Sequence, residues 1–314
     1  MGKPLAILST SAKVEARKET PLSTQCPAAK GEANDFLSPS VTRLLKEKGI
    51  PLEEIDRIPR TGEGNRLTKK DVEDYASKPR VEAPATERIP MNAMRKAIAE
   101  NMVRSFYEAP HASLITEVDV TRLMQTIQEY KTSFLEKHGA KLTVTAFVAR
   151  AIARALKAFP LLNASLEGGH TILVKRFVNL GIAVSVDQSV IVPVIRNCQE
   201  LSLAQIAKEI ADKAEKARTH KLDLAEVKDG TITLTNFGMT GTMIGVPIIR
   251  YPEVAIVGMG AITKKVAAMP DDSMAIRSVM WVSLTFDHRV LDGLYGCAFL
   301  KELKTHLEDD ITLE

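Results

Sequence analysis

Two tracts of poor core-forming composition constrain this chain more than any other feature. Residues 12–34 are rich in Lys, Glu, Ser, Thr, Pro and Ala, and residues 79–86 in Pro and Ala. Such tracts cannot bury enough apolar surface to offset the entropy of ordering, so they read as linkers. They cut the 314 residues into unequal parts. Residues 37–78 form a unit of roughly forty residues, at the lower limit of independent folding. From residue 89 onward about 225 residues have the composition of one large globular domain. The opening Gly2-Lys-Pro-Leu-Ala-Ile-Leu-Ser9 reads as one short strand, which cannot fold alone.

Composition narrows the class. Hydrophobic residues are 45% and charged residues 26% of the chain, ordinary for a globular protein. No apolar run approaches the roughly 18 residues of a membrane span. A net charge of +3 is too small to argue for nucleic acid. Cys26, Cys198 and Cys297 are scattered, which suits a reducing compartment and neither a disulfide framework nor a zinc site. No secretory signal is visible, so the expected location is cytoplasmic, or the mitochondrial matrix in a eukaryote. Glu15 and Glu19 argue against reading the first residues as a presequence, which is poor in acids.

In the small unit, Ser38 is placed to cap a helix through Val41, Leu44 and Leu45, stopped by Gly49. A loop follows through Pro51, Pro59, Gly62 and Gly64. Thr68 then opens a second helix over 69–76, with Asp71 three residues on, as in a capping box. Arg43, Lys46 and Arg66 give the unit a basic face, which solvation alone can explain.

The large part mixes both periodicities. Met94, Ile98, Met102 and Phe106 predict an amphipathic helix over 91–107. A strand at 114–120 leads into a charged helix to about Lys137. Thr143 caps a helix with Val148, Ile152, Ala155 and Phe159 on one face. Residues 175–185 and 189–195 read as buried strands. Ser202 with Gln205 opens a helix to about Arg218. Residues 231–238, 254–260 and 279–285 read as further strands, and 294–307 as a helix. The class is α/β (α+β).

The stretch LTFDHRVLDG over 284–293 carries the chemistry. His288 lies at a strand end between Asp287 and Arg289, and Asp292 is placed as N-cap of the next helix. A histidine so held can act as a general base. The residues alone leave open a structural histidine beside a capping aspartate, and Thr235 in TITLTNFG over 231–238 reads alone as a strand threonine. The Gly-Met-Gly of 258–260 lacks a phosphate-binding fingerprint.

DHRVLDG resembles the active-site signature of the 2-oxo acid dehydrogenase acyltransferases. The S-P-S-V, K-E-K-G-I and N-R-L-T-K-K-D-V segments of the small unit resemble their peripheral subunit-binding domain. M-R-K-A-I-A-E-N-M, N-L-G-I-A-V and T-L-T-N-F-G resemble catalytic-domain segments. The resemblance implies a chloramphenicol-acetyltransferase-like catalytic domain at 89–314. Before it lie a helical subunit-binding domain at 37–78 and a linker at 79–88, and 1–36 are the end of a lipoyl domain plus linker. It implies acyl transfer between dihydrolipoamide and coenzyme A, without a metal. His288 is then the general base, Thr235 the oxyanion donor, and Asp292 an organiser paired with Arg95. It implies trimers assembled into a cubic or dodecahedral core, with His288 and Thr235 meeting across a subunit boundary. Docking of dihydrolipoyl dehydrogenase or of the 2-oxo acid decarboxylase falls to Arg43, Lys46 and Arg66. Thr42 stands where the family has Arg, and the loop around 57–59 is longer than usual. Lipoate is expected on another domain or chain. Two other classes stay in view: a non-catalytic tethering subunit, which typically loses the histidine, and a free-standing chloramphenicol-type acetyltransferase, which has no use for 37–78.

Overall fold

The computed structural model describes residues 37–77, 87–186 and 189–313, and these fall into two compact units that divide between residues 88 and 89. The expected strand at 2–9 and the linkers at 12–34 and 79–86 lie outside the described residues.

In the first unit, α1 (Pro39–Glu47) starts where the Ser38 side chain accepts the Val41 N–H, with Pro39 supplying a helix-ready φ. The stretch read as loop contains a 3-10 turn, Leu52–Arg57. The second helix, α2 (Lys69–Ser77), opens with the expected reciprocal cap. Asp71 N–H donates to Thr68 Oγ1 at 3.3 Å, and Thr68 N–H donates to Asp71 Oδ2 at 2.8 Å. Thr61 also donates to Asp71, through its N–H and its hydroxyl. These bonds, the Thr61 hydroxyl foremost, hold the Asp71 carboxyl far below the usual carboxylate range. One buried carboxylate thus ties the loop to the helix in a unit whose buried apolar core is Val41, Leu45, Ile55, Ile58, Leu67 and Val72.

The second unit begins with α3 (Ala93–Glu108), capped by Asn92. It is the helix expected at 91–107, but its apolar stripe does not enter a core. Met94, Val103, Phe106 and Tyr107 are exposed, and of this helix only Ser105 is buried. Then come β1 (His111–Asp119), α4 (Thr121–His138) and α5 (Val144–Ala155). Thr143 caps α5 as expected, accepting the Ala146 N–H. The helix stops at Ala155 rather than Phe159. Pro160 cannot continue it and biases the preceding residue away from helix. Phe159 instead packs edge-on against Tyr295 and Phe299. Nor does α5 have one buried face: nine of its residues are buried, so it runs through the core.

Four short strands follow: β2 (Ala164–Glu167), β3 (Thr171–Val174), β4 (Leu180–Ile182) and β5 (Val184–Val186). Next are β6 (Ser189–Ile191) and β7 (Val194–Ile195). The two strands expected at 175–185 and 189–195 are therefore each broken. The chain departs from the main sheet after Ile182. Pro193 has no N–H for a ladder, and its carbonyl accepts the Ile182 N–H instead. Then α6 (Leu203–Arg218) starts at the Ser202–Gln205 capping box. The remaining elements are β8 (Ile232–Asn236), β9 (Ala255–Ala268), β10 (Met274–Asp287) and α7 (Gly293–Glu308).

The main sheet has the order β1-β10-β9-β8-β4-β7. Strands β9 and β10 form a long antiparallel hairpin, and β8 joins β9 and β4 in parallel. The hairpin extends well past the expected 254–260 and 279–285. Its distal half carries Lys264, Lys265 and exposed Val266, Met274 and Ile276, and lacks the buried-strand pattern. Alternation in β8 assigns the faces. Ile232 and Leu234 enter the core with α5, α6 and α7 residues, so Thr231, Thr233 and Thr235 line the opposite face. Ser283 alternates in the same way between Val282 and Leu284, both fully buried in that core.

Candidate active site

The DHRVLDG turn is built from local bonds. Asp287, 3% exposed, receives Arg289 Nε at 3.0 Å, Arg289 Nη2 at 2.7 Å and the Arg289 N–H at 3.0 Å. This charge-assisted clamp raises the Arg289 pKa, the bond to Asp287 foremost. It engages Arg289 and leaves the imidazole outside. The His288 N–H donates to Pro110 O at 2.9 Å, tying the turn to the chain just before β1. The His288 ring lies 5.7 Å from the Phe286 ring, tilted by 41°, and the residue is exposed. Asp292 Oδ1 accepts the Tyr295 N–H at 2.9 Å and caps α7. A recess of about 290 Å³ is lined by Leu161, His288, Asp292 and Tyr295, among others. The imidazole stands at the mouth of this recess, and among the described residues no carboxylate engages it.

Thr235 lies on the polar face of β8, half-buried, and its hydroxyl bonds to no protein group among the described residues. Opposite it is Gly258 on β9, where a side chain would collide with the Phe237 ring and with Ser283 Oγ. Ser283 Oγ is itself buried, without a hydrogen-bond partner among the described residues. This end of the sheet thus offers a free hydroxyl donor of the kind that stabilises an oxyanion. Gly238 crosses Gly260 so closely that a side chain would overlap the Gly260 carbonyl, fixing where the strand turns after Thr235.

Register sets the separation of the two groups. Thr235 is level with Gly258, and Gly258 with Ser283. At ~4.8 Å per strand and ~3.3 Å per residue, His288 is about 20 Å from Thr235 within the subunit. The structure does not bring them together in one chain. Nor does an ion pair join Asp292 to Arg95 among the described residues; Arg95 is exposed near the start of α3. Arg43, Lys46 and Arg66 are exposed on the small unit, and none makes an ion pair among the described residues. Among the described residues no cluster of three or more His, Cys, Asp or Glu is arranged to hold a metal.

One group escaped the reading of the sequence. Glu253 is buried behind the turn, and burial pushes its carboxyl up to about 7 against the pull of Thr233, Arg250 and Lys175. Thr233 Oγ1 donates to Glu253 Oε2 at 2.6 Å. In the sequence Glu253 only precedes an apolar strand, and nothing local marks it as buried.

Comparison with known proteins places the chain. The acyltransferase catalytic domain of the 2-oxoacid dehydrogenases matches residues 83–313, and the e3 binding domain matches 36–73. The chain belongs to the 2-oxoacid dehydrogenase acyltransferase family. A relative in Bacillus subtilis, the lipoamide acyltransferase component of the branched-chain alpha-keto acid dehydrogenase complex, is 36% identical over 92% of this chain and 75% of its own length. The dihydrolipoyllysine-residue succinyltransferase component of the Escherichia coli 2-oxoglutarate dehydrogenase complex is 33% identical, over 97% and 78%. Among solved structures, a probable dihydrolipoamide acetyltransferase from Listeria monocytogenes is 37% identical with a TM-score of 0.70. It covers 74% of this chain and all of its own. The Azotobacter vinelandii dihydrolipoamide acetyltransferase, where a serine, a histidine and an asparagine have been investigated for roles in the mechanism, is 33% identical with a TM-score of 0.69. It covers 72% of this chain and 93% of its own. The mixed helix-and-sheet fold expected from the sequence is therefore that of these catalytic cores, preceded by an e3 binding domain. The chain is a core acyltransferase component of such a complex, of the dihydrolipoyllysine-residue acyltransferase class.

Proposed function

We propose that this chain moves an acyl group between dihydrolipoamide and coenzyme A, at a site completed only between two copies. His288 removes the proton of the attacking thiol as it reaches the thioester carbonyl, because the thiolate is the nucleophile. Thr235 of the neighbouring copy donates its hydroxyl to the oxygen of the tetrahedral intermediate. Collapse of that intermediate expels the second thiol, which recovers the proton from the imidazole. Asp292 holds the turn through its cap on α7. The observation that carries this reading is the separation of the two groups. Each is accessible in the subunit, yet they lie about 20 Å apart by strand spacing and rise.

The Azotobacter protein supports the assignment. Its investigated histidine and asparagine stand four residues apart, as His288 and Asp292 do here, and its serine lies roughly fifty residues upstream of the histidine, as Thr235 does. A trimer closed by a three-fold axis gives every subunit one neighbour that meets its His288 and another that meets its Thr235. Trimers then build a cubic or dodecahedral core. Lipoate arrives on another domain or chain. Arg43, Lys46 and Arg66, exposed on the small unit, dock an acidic face of the dihydrolipoyl dehydrogenase or of the decarboxylase. The separate Cys198 and Cys297 suit the cytoplasm, or the matrix of a eukaryote.

The test is a steady-state assay of the full chain with free dihydrolipoamide against acetyl-, succinyl- and isobutyryl-coenzyme A. Turnover with one of the three is expected, together with salt-sensitive partner binding that weakens on charge reversal at Lys46 and Arg66. Failure to turn over any of them overturns the reading.

A further inference from the structure

A second cavity, of about 720 Å³, opens beyond the N-terminal end of β8, at the opposite end of that strand from Thr235. Its walls come from distant parts of the chain. Lys175 follows β3, Arg196 follows β7, Lys228 and Gly230 precede β8, and Arg250 and Glu253 precede β9.

The charges are unbalanced. Four cations face two carboxylates, Asp229 and Glu253, and the deeper of these is held towards its protonated form by burial. Lys175 is the most informative group. It is half-buried, and its ammonium donates to Ser165 Oγ at 2.8 Å. No carboxylate lies within 4.0 Å of it among the described residues. Burial lowers its pKa, and the charge of Glu253 offsets that cost only in part. Arg250 reaches the Val227 carbonyl and lies 3.4 Å from Glu253 Oε1. Arg196 bonds Ala225 O and Asp229 at 3.1 and 3.2 Å.

The walls are braced. Asn179 donates through its side chain to Asp229 O, and its Oδ1 accepts the Asn197 N–H. A side chain at Gly230 would strike Glu253 Oε1 and press on Arg250 Nη1, so glycine there keeps the charged groups close to the backbone. Phe177, 42% exposed, and Tyr251 give the cavity flat apolar wall. Its size falls in the range of small-molecule sites.

We infer that this cavity binds an organic phosphate, with the dianionic head between Lys175, Arg196 and Arg250 and the apolar body against Phe177 and Tyr251. A doubly charged head fits better than a single carboxylate, because one guanidinium fork already satisfies a carboxylate. The phosphate has two sources, a free metabolite or the diphosphate of coenzyme A. The inference does not require acyl transfer, so its failure and that of the proposed function are separable.

The experiment is calorimetric titration of the full chain with pyrophosphate, alongside Lys175→Gln, Arg196→Gln and a control on an exposed helix, Lys131→Gln. The native chain and the control should bind alike, and each cavity variant should bind at least about tenfold more weakly, one lost charge-assisted contact by the usual conversion. Unchanged melting of the variants shows that they fold. A KM for coenzyme A that rises in step with the lost pyrophosphate binding assigns the phosphate to coenzyme A. An unchanged KM assigns it to a free ligand. Pyrophosphate binding that is absent from the native chain, or equal in all four proteins, overturns the inference.

Discussion

The two halves of the proposed site are made in different ways. The His288 half is a local construction. A clamp between Asp287 and Arg289 and the Asp292 cap fix it within a few residues, and the His288 N–H then anchors it to Pro110, a distant part of the chain. The Thr235 half is a product of sheet register. Its position follows from β8 lying beside β9, and β9 beside β10, with Gly238 and Gly258 giving room for the turn and for Phe237. A local construction leaves a mark in the sequence; a register does not, because it depends on residues far apart in the chain. The contrast also concerns completeness. In the proposed site the turn brings the base and the strand brings the donor, and neither carries both.

The largest effect belongs to the base. His288→Ala should lower acyl transfer by at least about a hundredfold, the lower end for a general base, with melting and assembly unchanged. Near-normal turnover would remove His288 from the chemistry and break the comparison at its first term. Thr235→Ala should cost roughly a hundred to a thousandfold in kcat, as single oxyanion donors do. A change confined to KM would make the hydroxyl a binding group.

Smaller effects sharpen the structural side. Glu253 carries a raised pKa, so between pH ~4.5 and ~7 the native chain holds a proton that the unfolded chain has released. Stability from this residue is therefore lost as pH rises through that window, by at most about 1.4 kcal/mol per pH unit. Urea unfolding read at Trp281, the single tryptophan, should show that slope in the native chain and lose it in Glu253→Gln. Equal slopes in both proteins would mean that Glu253 is ionised throughout. Asp292→Ala should cost about 1 kcal/mol, the usual value of an N-cap, by the same measurement. A loss of activity without that destabilisation would give Asp292 a part in the chemistry instead of the cap.

What was legible followed the same division. The caps at Ser38, Thr68, Thr143, Ser202 and Asp292 each formed where the short-range pattern placed them. The hairpin of β9 and β10 was seen only in its buried half, because its exposed half lacks an apolar pattern. The breaks at Ala183 and Pro193 were missed because an apolar run reads as one strand until the sheet it must join is known. The stripe of Met94, Ile98, Met102 and Phe106 lies on a helix as its spacing predicts, and in the subunit Met94 and Phe106 are exposed. Periodicity reports which residues avoid water, not which surface covers them. The buried charge of Glu253 left no local mark.

The most direct test of a site shared between subunits is complementation. His288→Ala and Thr235→Ala chains, each nearly inactive alone, are dissociated and reassembled together in equal amounts, with mixed oligomers confirmed by native mass spectrometry. In a closed ring, random assembly restores an intact pair at about one interface in four. The account predicts recovery to roughly a quarter of native activity, and little recovery when assembled variants are mixed without dissociation. No recovery in confirmed mixed oligomers would show that each site lies within one chain, and would contradict it.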